Sequence, residues 1–147
     1  MAPSLSLQVT AHNPRARMSQ RLPADCSYRV PYARKRCWRG ENWWITEQAY
    51  DARHAYVYLI EVSPRQTLRF SVECLRRDLH WLYPLAGEFC IHGPDGMVAL
   101  WLVADEHVQV RAEVATYEVT LPGGRHLLFG FVVERGWPSR YLGTALA

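Results

Sequence analysis

The run His126-Leu127-Leu128-Phe129-Gly130-Phe131-Val132-Val133 has no polar residue after its first position. In an extended chain successive side chains leave on opposite faces, so a strand of this composition has to be covered on both. Before it stands Thr116 to Leu121, where Tyr117, Val119 and Leu121 alternate with Thr116, Glu118 and Thr120, so one face meets a core and the other meets water. Pro122-Gly123-Gly124-Arg125 between the two runs is turn composition, and the whole reads as a hairpin. A hairpin with one doubly covered strand needs a second layer. The chain is therefore expected to form a sandwich or a closed barrel, because a single open sheet would leave one apolar face wet.

The rest of the chain supplies that layer. Ala55 to Val62 places Tyr56, Tyr58, Ile60 and Val62 on one face, and Thr67 to Cys74 does the same with Leu68, Phe70 and Val72. Leu79 to Leu85 puts Leu79, Trp81, Tyr83 and Leu85 together and His80, Leu82 and Pro84 opposite; Pro84 lacks the N–H a ladder needs, which predicts an edge strand or a bulge. Glu88 to His92 follows a Gly87 turn, and Gly93-Pro94-Asp95-Gly96 is a second turn. Met97 to Ala104 is apolar on both sides, and Val108 to Val114 alternates. Asn42 to Thr46 reads as a short first strand, and Glu47 to His54 as a polar turn or one helical turn. Eight or nine short strands without an amphipathic helix predict an all-β, antiparallel sandwich or barrel.

At 147 residues, 49% hydrophobic and 21% charged, the chain suits one globular domain rather than disorder. No apolar run approaches the roughly 18 residues of a membrane span, and the N-terminus lacks a secretory pattern, so no membrane partner and a cytoplasmic location are expected. Cys26, Cys37, Cys74 and Cys90 have neither CxxC pairs nor regular spacing and read as reduced thiols. Charge is uneven: residues 1–40 carry eight basic side chains against Asp25, and the remainder carries nine basic against thirteen acidic. Residues 1–40 therefore read as an irregular, basic, partly mobile N-terminal arm, 41–141 as the β domain and 142–147 as a tail. Within the arm, Cys26 to Arg39 interleaves aromatics with arginines. It reads either as a contact for phosphates and bases or as a solvated edge anchored by Tyr28, Tyr32 and Trp38.

The succession Trp81-Leu82-Tyr83-Pro84-Leu85-Ala86-Gly87-Glu88, then Asp95-Gly96, then Tyr117 to His126, resembles the strand order of cupin-like jelly rolls. Leu79 to Tyr83 and Leu121 to Phe129 more narrowly resemble the N-terminal sensor domains of AraC-type transcriptional regulators, over roughly Trp43 to Tyr141. The resemblance implies a non-catalytic β domain that binds a small-molecule effector or mediates homodimerisation. DNA would be read by a separate helix-turn-helix domain, for which no pair of helices follows Tyr141.

Other chemistries find less support. GxSxG, HExxH and a phosphate-binding glycine loop are all missing, and Cys90 with His92 lacks an orienting acid. The chief alternative is a metal-dependent cupin enzyme. Its HxH pair is broken because Leu82 stands two residues after His80, leaving His80, Glu88 and His126 as the only candidate ligands. No cofactor is expected. The residues expected to line a ligand pocket are Trp81, Tyr83, Trp101, Tyr117 and His126, with the basic arm closing over an acidic effector.

Overall fold

The computed structural model describes residues 2–133. Twelve strands are present and, among the described residues, no helix: β1 (Leu5–Gln8), β2 (Arg17–Ser19), β3 (Arg34–Arg39), β4 (Trp43–Asp51), β5 (Ala55–Pro64), β6 (Leu68–Cys74), β7 (Leu79–Ala86), β8 (Glu88–His92), β9 (Val98–Val103), β10 (Val108–Arg111), β11 (Ala115–Leu121) and β12 (His126–Val133). They form a five-stranded sheet, β1-β6-β11-β8-β9, and a seven-stranded sheet, β10-β7-β12-β5-β4-β3-β2. Among the described residues no helix is long and apolar enough to cross a membrane.

The last eight strands pair in nested order. β5 lies antiparallel to β12, β6 to β11, β7 to β10 and β8 to β9. This is one long hairpin rolled up so that β5-β12-β7-β10 and β6-β11-β8-β9 face each other, and that order defines a jelly roll. The alternating segments behave as their periodicity predicts: Tyr56, Tyr58, Ile60 and Val62 of β5, Leu68 and Phe70 of β6, and Val119 and Leu121 of β11 all face the space between the sheets and are buried.

Four expectations are corrected. Residues 1–40 are not an irregular arm, because β1 adds to β6 with Leu5 and Leu7 buried in the core, and β2 and β3 extend the larger sheet through β4. Trp38 is buried, but Tyr28 and Tyr32 are exposed rather than anchored. The segment around residues 23–30 is tied to the outside of the larger sheet by backbone bonds. Ser27 N–H donates to Glu61 and Val30 N–H to Gln48 at 2.7 Å, while Gln48 Nε2 donates to the Tyr28 carbonyl at 2.8 Å. Glu47 to His54 is no turn either; most of it lies in β4, with Glu47 and Gln48 buried. Met97 to Ala104 is covered on one side only. β9 is the edge of its sheet, Leu102 points inward, and Val98, Trp101 and Val103 are exposed.

Pro84 falls at an irregularity. β7 lies inside its sheet between β10 and β12, and its register against β12 slips between Leu127 and Leu128, opposite Ala86 and Pro84. The end of the expected β domain, through Tyr141, and the 142–147 tail lie outside the described residues.

Candidate functional site

The two sheets do not close completely on each other. Between them lies a cavity of about 230 Å³, bordered on the larger sheet by Tyr58, Ile60, His80, Leu82 and Leu128 and on the smaller by Leu5, Phe70, Phe89, Tyr117 and Val119. Strand alternation explains the chemistry of this lining. Each strand turns its apolar parity inward, and His80 arrives with the inward parity of β7 together with Leu82.

His80 is held by a partner two strands away. Tyr58 on β5 and Leu82 on β7 both register against Gly130 of the intervening β12. A Cβ at Gly130 would lie 2.4 Å from the Tyr58 ring, so the missing side chain is the lane through which Tyr58 crosses β12. Its hydroxyl reaches Nδ1 of His80 at 2.9 Å, ring edge to face. The Nε2 of His80 is buried and has no hydrogen-bond partner among the described residues.

Burial sets the protonation states. Desolvation lowers the His80 imidazole to about 4, with Asp78 raising and Arg76 lowering it less strongly, so the ring is neutral at physiological pH. Burial likewise pushes the Tyr58 phenol far above its usual range and the Cys74 thiol, which also borders the cavity, up to about 11. A thiol so shifted is a poor nucleophile near neutral pH.

The expected pocket residues are distributed differently. Only Tyr117 borders the cavity; its hydroxyl accepts from the Glu113 N–H at 3.1 Å. Trp81 and Tyr83 lie on the opposite face of β7, where both stack on Phe131. Trp101 is exposed on β9 and donates from Nε1 to Glu88 at 3.1 Å. His126 is buried beside the cavity's end rather than in its lining. Its Nδ1 accepts from the Glu88 N–H at 2.9 Å and its Nε2 lies 2.8 Å from the Pro122 carbonyl, fastening the Gly87 turn to the final hairpin. Among the described residues His80, Glu88 and His126 do not converge, and no group of three metal-ligating side chains occurs. The missed lining residues, Tyr58, His80 and Leu82, had one signal in the sequence: a tyrosine, a histidine and a glycine on inward parities that fit only across three neighbouring strands.

The basic residues near the N-terminus border another place. His12, Arg15, Arg17 and Arg39 surround an open groove with Glu41 and Trp43, and it shares no residue with the cavity. The strand that does reach the cavity is β1, through Leu5.

No family model matches this chain, and no curated protein does. Among solved structures it is similar to a cupin domain from Bordetella pertussis, at 13% identity over 61% of this chain and 93% of that one, with a TM-score of 0.48. A cupin superfamily protein from Desulfitobacterium hafniense matches at 15% identity over 81% and 99%, with a TM-score of 0.44. A protein with a double-stranded β-helix domain from Klebsiella pneumoniae matches at 15% identity over 77% and 90%, with a TM-score of 0.47. The strand order establishes the jelly roll. With TM-scores under 0.5, these likenesses add no argument to it.

One more buried titratable group lies away from the cavity. Glu47 faces inward on β4, is 1% exposed, and among the described residues neither carboxylate oxygen has a hydrogen-bond partner; Arg34 approaches Oε1 at 3.8 Å and also donates to the Tyr56 hydroxyl at 3.2 Å. Desolvation raises its pKa, against the smaller opposing pull of Arg34 and Arg36. A carboxyl raised in the folded state favours folding when protonated, so stability falls as pH rises from its ordinary value through the folded one. Glu47→Gln is expected to raise stability at pH 7, since Arg34 is partly exposed and loses little, and the gain should vanish near pH 4. Urea unfolding of both proteins at the two pH values checks this.

Proposed function

We propose that this domain binds a small organic molecule without transforming it, as the effector-binding or dimerisation module of a bacterial AraC-like transcriptional regulator in the cytoplasm. The observation that supports this reading is an apolar cavity between the sheets where, among the described residues, one buried side-chain nitrogen, His80 Nε2, has no hydrogen-bond partner. Such a lining suits binding: apolar contact supplies affinity and one polar atom fixes orientation. Catalysis is less well served, because the thiol and phenol at the cavity are held in their neutral forms and His80 is bonded to Tyr58. An effector held between the sheets would favour one arrangement of the barrel and so bias a homodimer or a tethered DNA-binding domain, provided its affinity differs between the two arrangements.

A thermal-shift screen with single-ring metabolites tests the reading. A ligand at about 100 times its Kd should stabilise the fold by about 2.7 kcal/mol. The same ligand should have no effect on Val72→Phe, which places a ring in the cavity. A ligand that shifts both proteins equally binds elsewhere, and a panel that shifts neither counts against the proposal. Sedimentation velocity with and without the ligand then reads whether binding changes the dimer.

A further inference from the structure

We infer that the cavity selects an uncharged molecule of about one ring that carries a single hydrogen-bond acceptor, a carbonyl oxygen being the simplest, which takes the Nε2–H of His80. The inference rests on the cavity being the binding site and adds what that site recognises.

The size follows from volume. An apolar cavity of about 150 Å³ holds benzene. At about 230 Å³ this one has room for a ring and a short substituent.

The direction of the hydrogen bond follows from the pair at its floor. The Tyr58 hydroxyl has one proton to donate and, among the described residues, one polar atom within reach, His80 Nδ1. If Tyr58 instead accepted from Nδ1–H, its own buried proton would have no partner. Tyr58 therefore donates, Nδ1 accepts, and the proton of the neutral imidazole sits on Nε2. That atom is buried without a partner in a ring that borders the cavity, so the ligand is met by a donor and must bring an acceptor.

The absence of charge follows from the lining. Among the described residues, the one charged residue bordering the cavity is Arg111, which is exposed and shares its parity on β10 with exposed Gln109, opposite Val108 and Val110, which pack against the core. A carboxylate between the sheets would be desolvated with no counter-charge beside it. A sugar would leave several hydroxyls against Leu82, Phe89 and Leu128.

Calorimetric titration with four probes of similar size tests the inference: acetophenone, isopropylbenzene, phenol and benzoate. Acetophenone should bind about tenfold more tightly than isopropylbenzene or phenol, and benzoate most weakly at neutral pH. In His80→Phe the advantage of acetophenone over isopropylbenzene should disappear. Nitrogen-15 shifts of the wild-type His80 ring should show Nδ1 unprotonated and Nε2 protonated, with the Nε2–H signal moving when acetophenone is added; this reading does not need the variant to fold. Equal affinity for acetophenone and isopropylbenzene, tighter binding of phenol or benzoate, or a proton on Nδ1 would overturn the acceptor rule while leaving the cavity a binding site. Failure of all four probes to bind would count against the site itself.

Discussion

Gly130→Ala is expected to destabilise the domain by about 1–3 kcal/mol, the usual cost of forcing extra atoms into a packed interior. Replacing a glycine by alanine where the backbone tolerates it usually gains about 0.4–1 kcal/mol, so the sign of the change is itself diagnostic. The new Cβ would stand 2.4 Å from the Tyr58 ring, which can yield only into the cavity and by giving up the bond from its hydroxyl to His80 on the far side of β12. Displacing the ring would also strip His80 Nδ1 of its donor. The cause can be separated from a general intolerance of β12. In a Tyr58→Leu background the ring is gone, and Gly130→Ala should then cost much less, with a coupling of about 0.5–3 kcal/mol between the sites. Urea unfolding of the four proteins reads this directly. An undiminished cost in the Tyr58→Leu background would show that the crossing ring is not what requires glycine.

The second large effect is on acid stability. His80 is held near 4 in the folded protein against an ordinary value of 6.5. Below pH 6.5 the unfolded chain takes up a proton at this residue that the folded chain refuses, so stability falls as pH drops towards 4 and levels off below it. A shift of this size corresponds to roughly 3 kcal/mol across that window. Glu47 acts in the opposite sense, since its raised value costs stability as pH rises above its ordinary 4.5. His80→Phe removes the first contribution and leaves the second. Its stability should change far less between pH 6.5 and 4 than that of the wild type, whatever its absolute value at pH 7. An unchanged acid slope in the variant would mean that His80 is protonated without strain.

Periodicity made the core of the fold legible wherever one parity was polar. β6 and β11 alternate cleanly, and their inward residues follow from the sequence alone. It failed where both parities were apolar. β7 offers Leu79, Trp81, Tyr83 and Leu85 on one side and His80, Leu82 and Pro84 on the other, and size favours the aromatics as the inner set. Register decides otherwise: opposite the apolar β12, Trp81 and Tyr83 stack on Phe131 outside, with Tyr83 also tilted against Phe129, while His80 and Leu82 line the interior. That inversion took Trp81 and Tyr83 out of the site; Leu5 was missed because β1 reads as part of the arm, and Trp101 was misplaced because β9 reads as covered on both faces. β3 and β4 were obscured for another reason. Their inward positions include Arg36 and Glu47, and Gln48 is buried on the outer face under the 23–30 segment, so polar residues occupy positions that periodicity assigns to apolar ones. Polar satisfaction by a distant backbone leaves no local mark in a sequence.

The most direct measurement is the map of where a small ligand lands. Methyl and ring resonances followed during titration with acetophenone should move for Leu5, Ile60, Leu82, Leu128 and His80, which border the space between the sheets, while Trp81, Phe129 and Phe131 on the outer face stay fixed. Shifts confined to the outer aromatics, or none among the cavity residues at saturating ligand, would contradict the account.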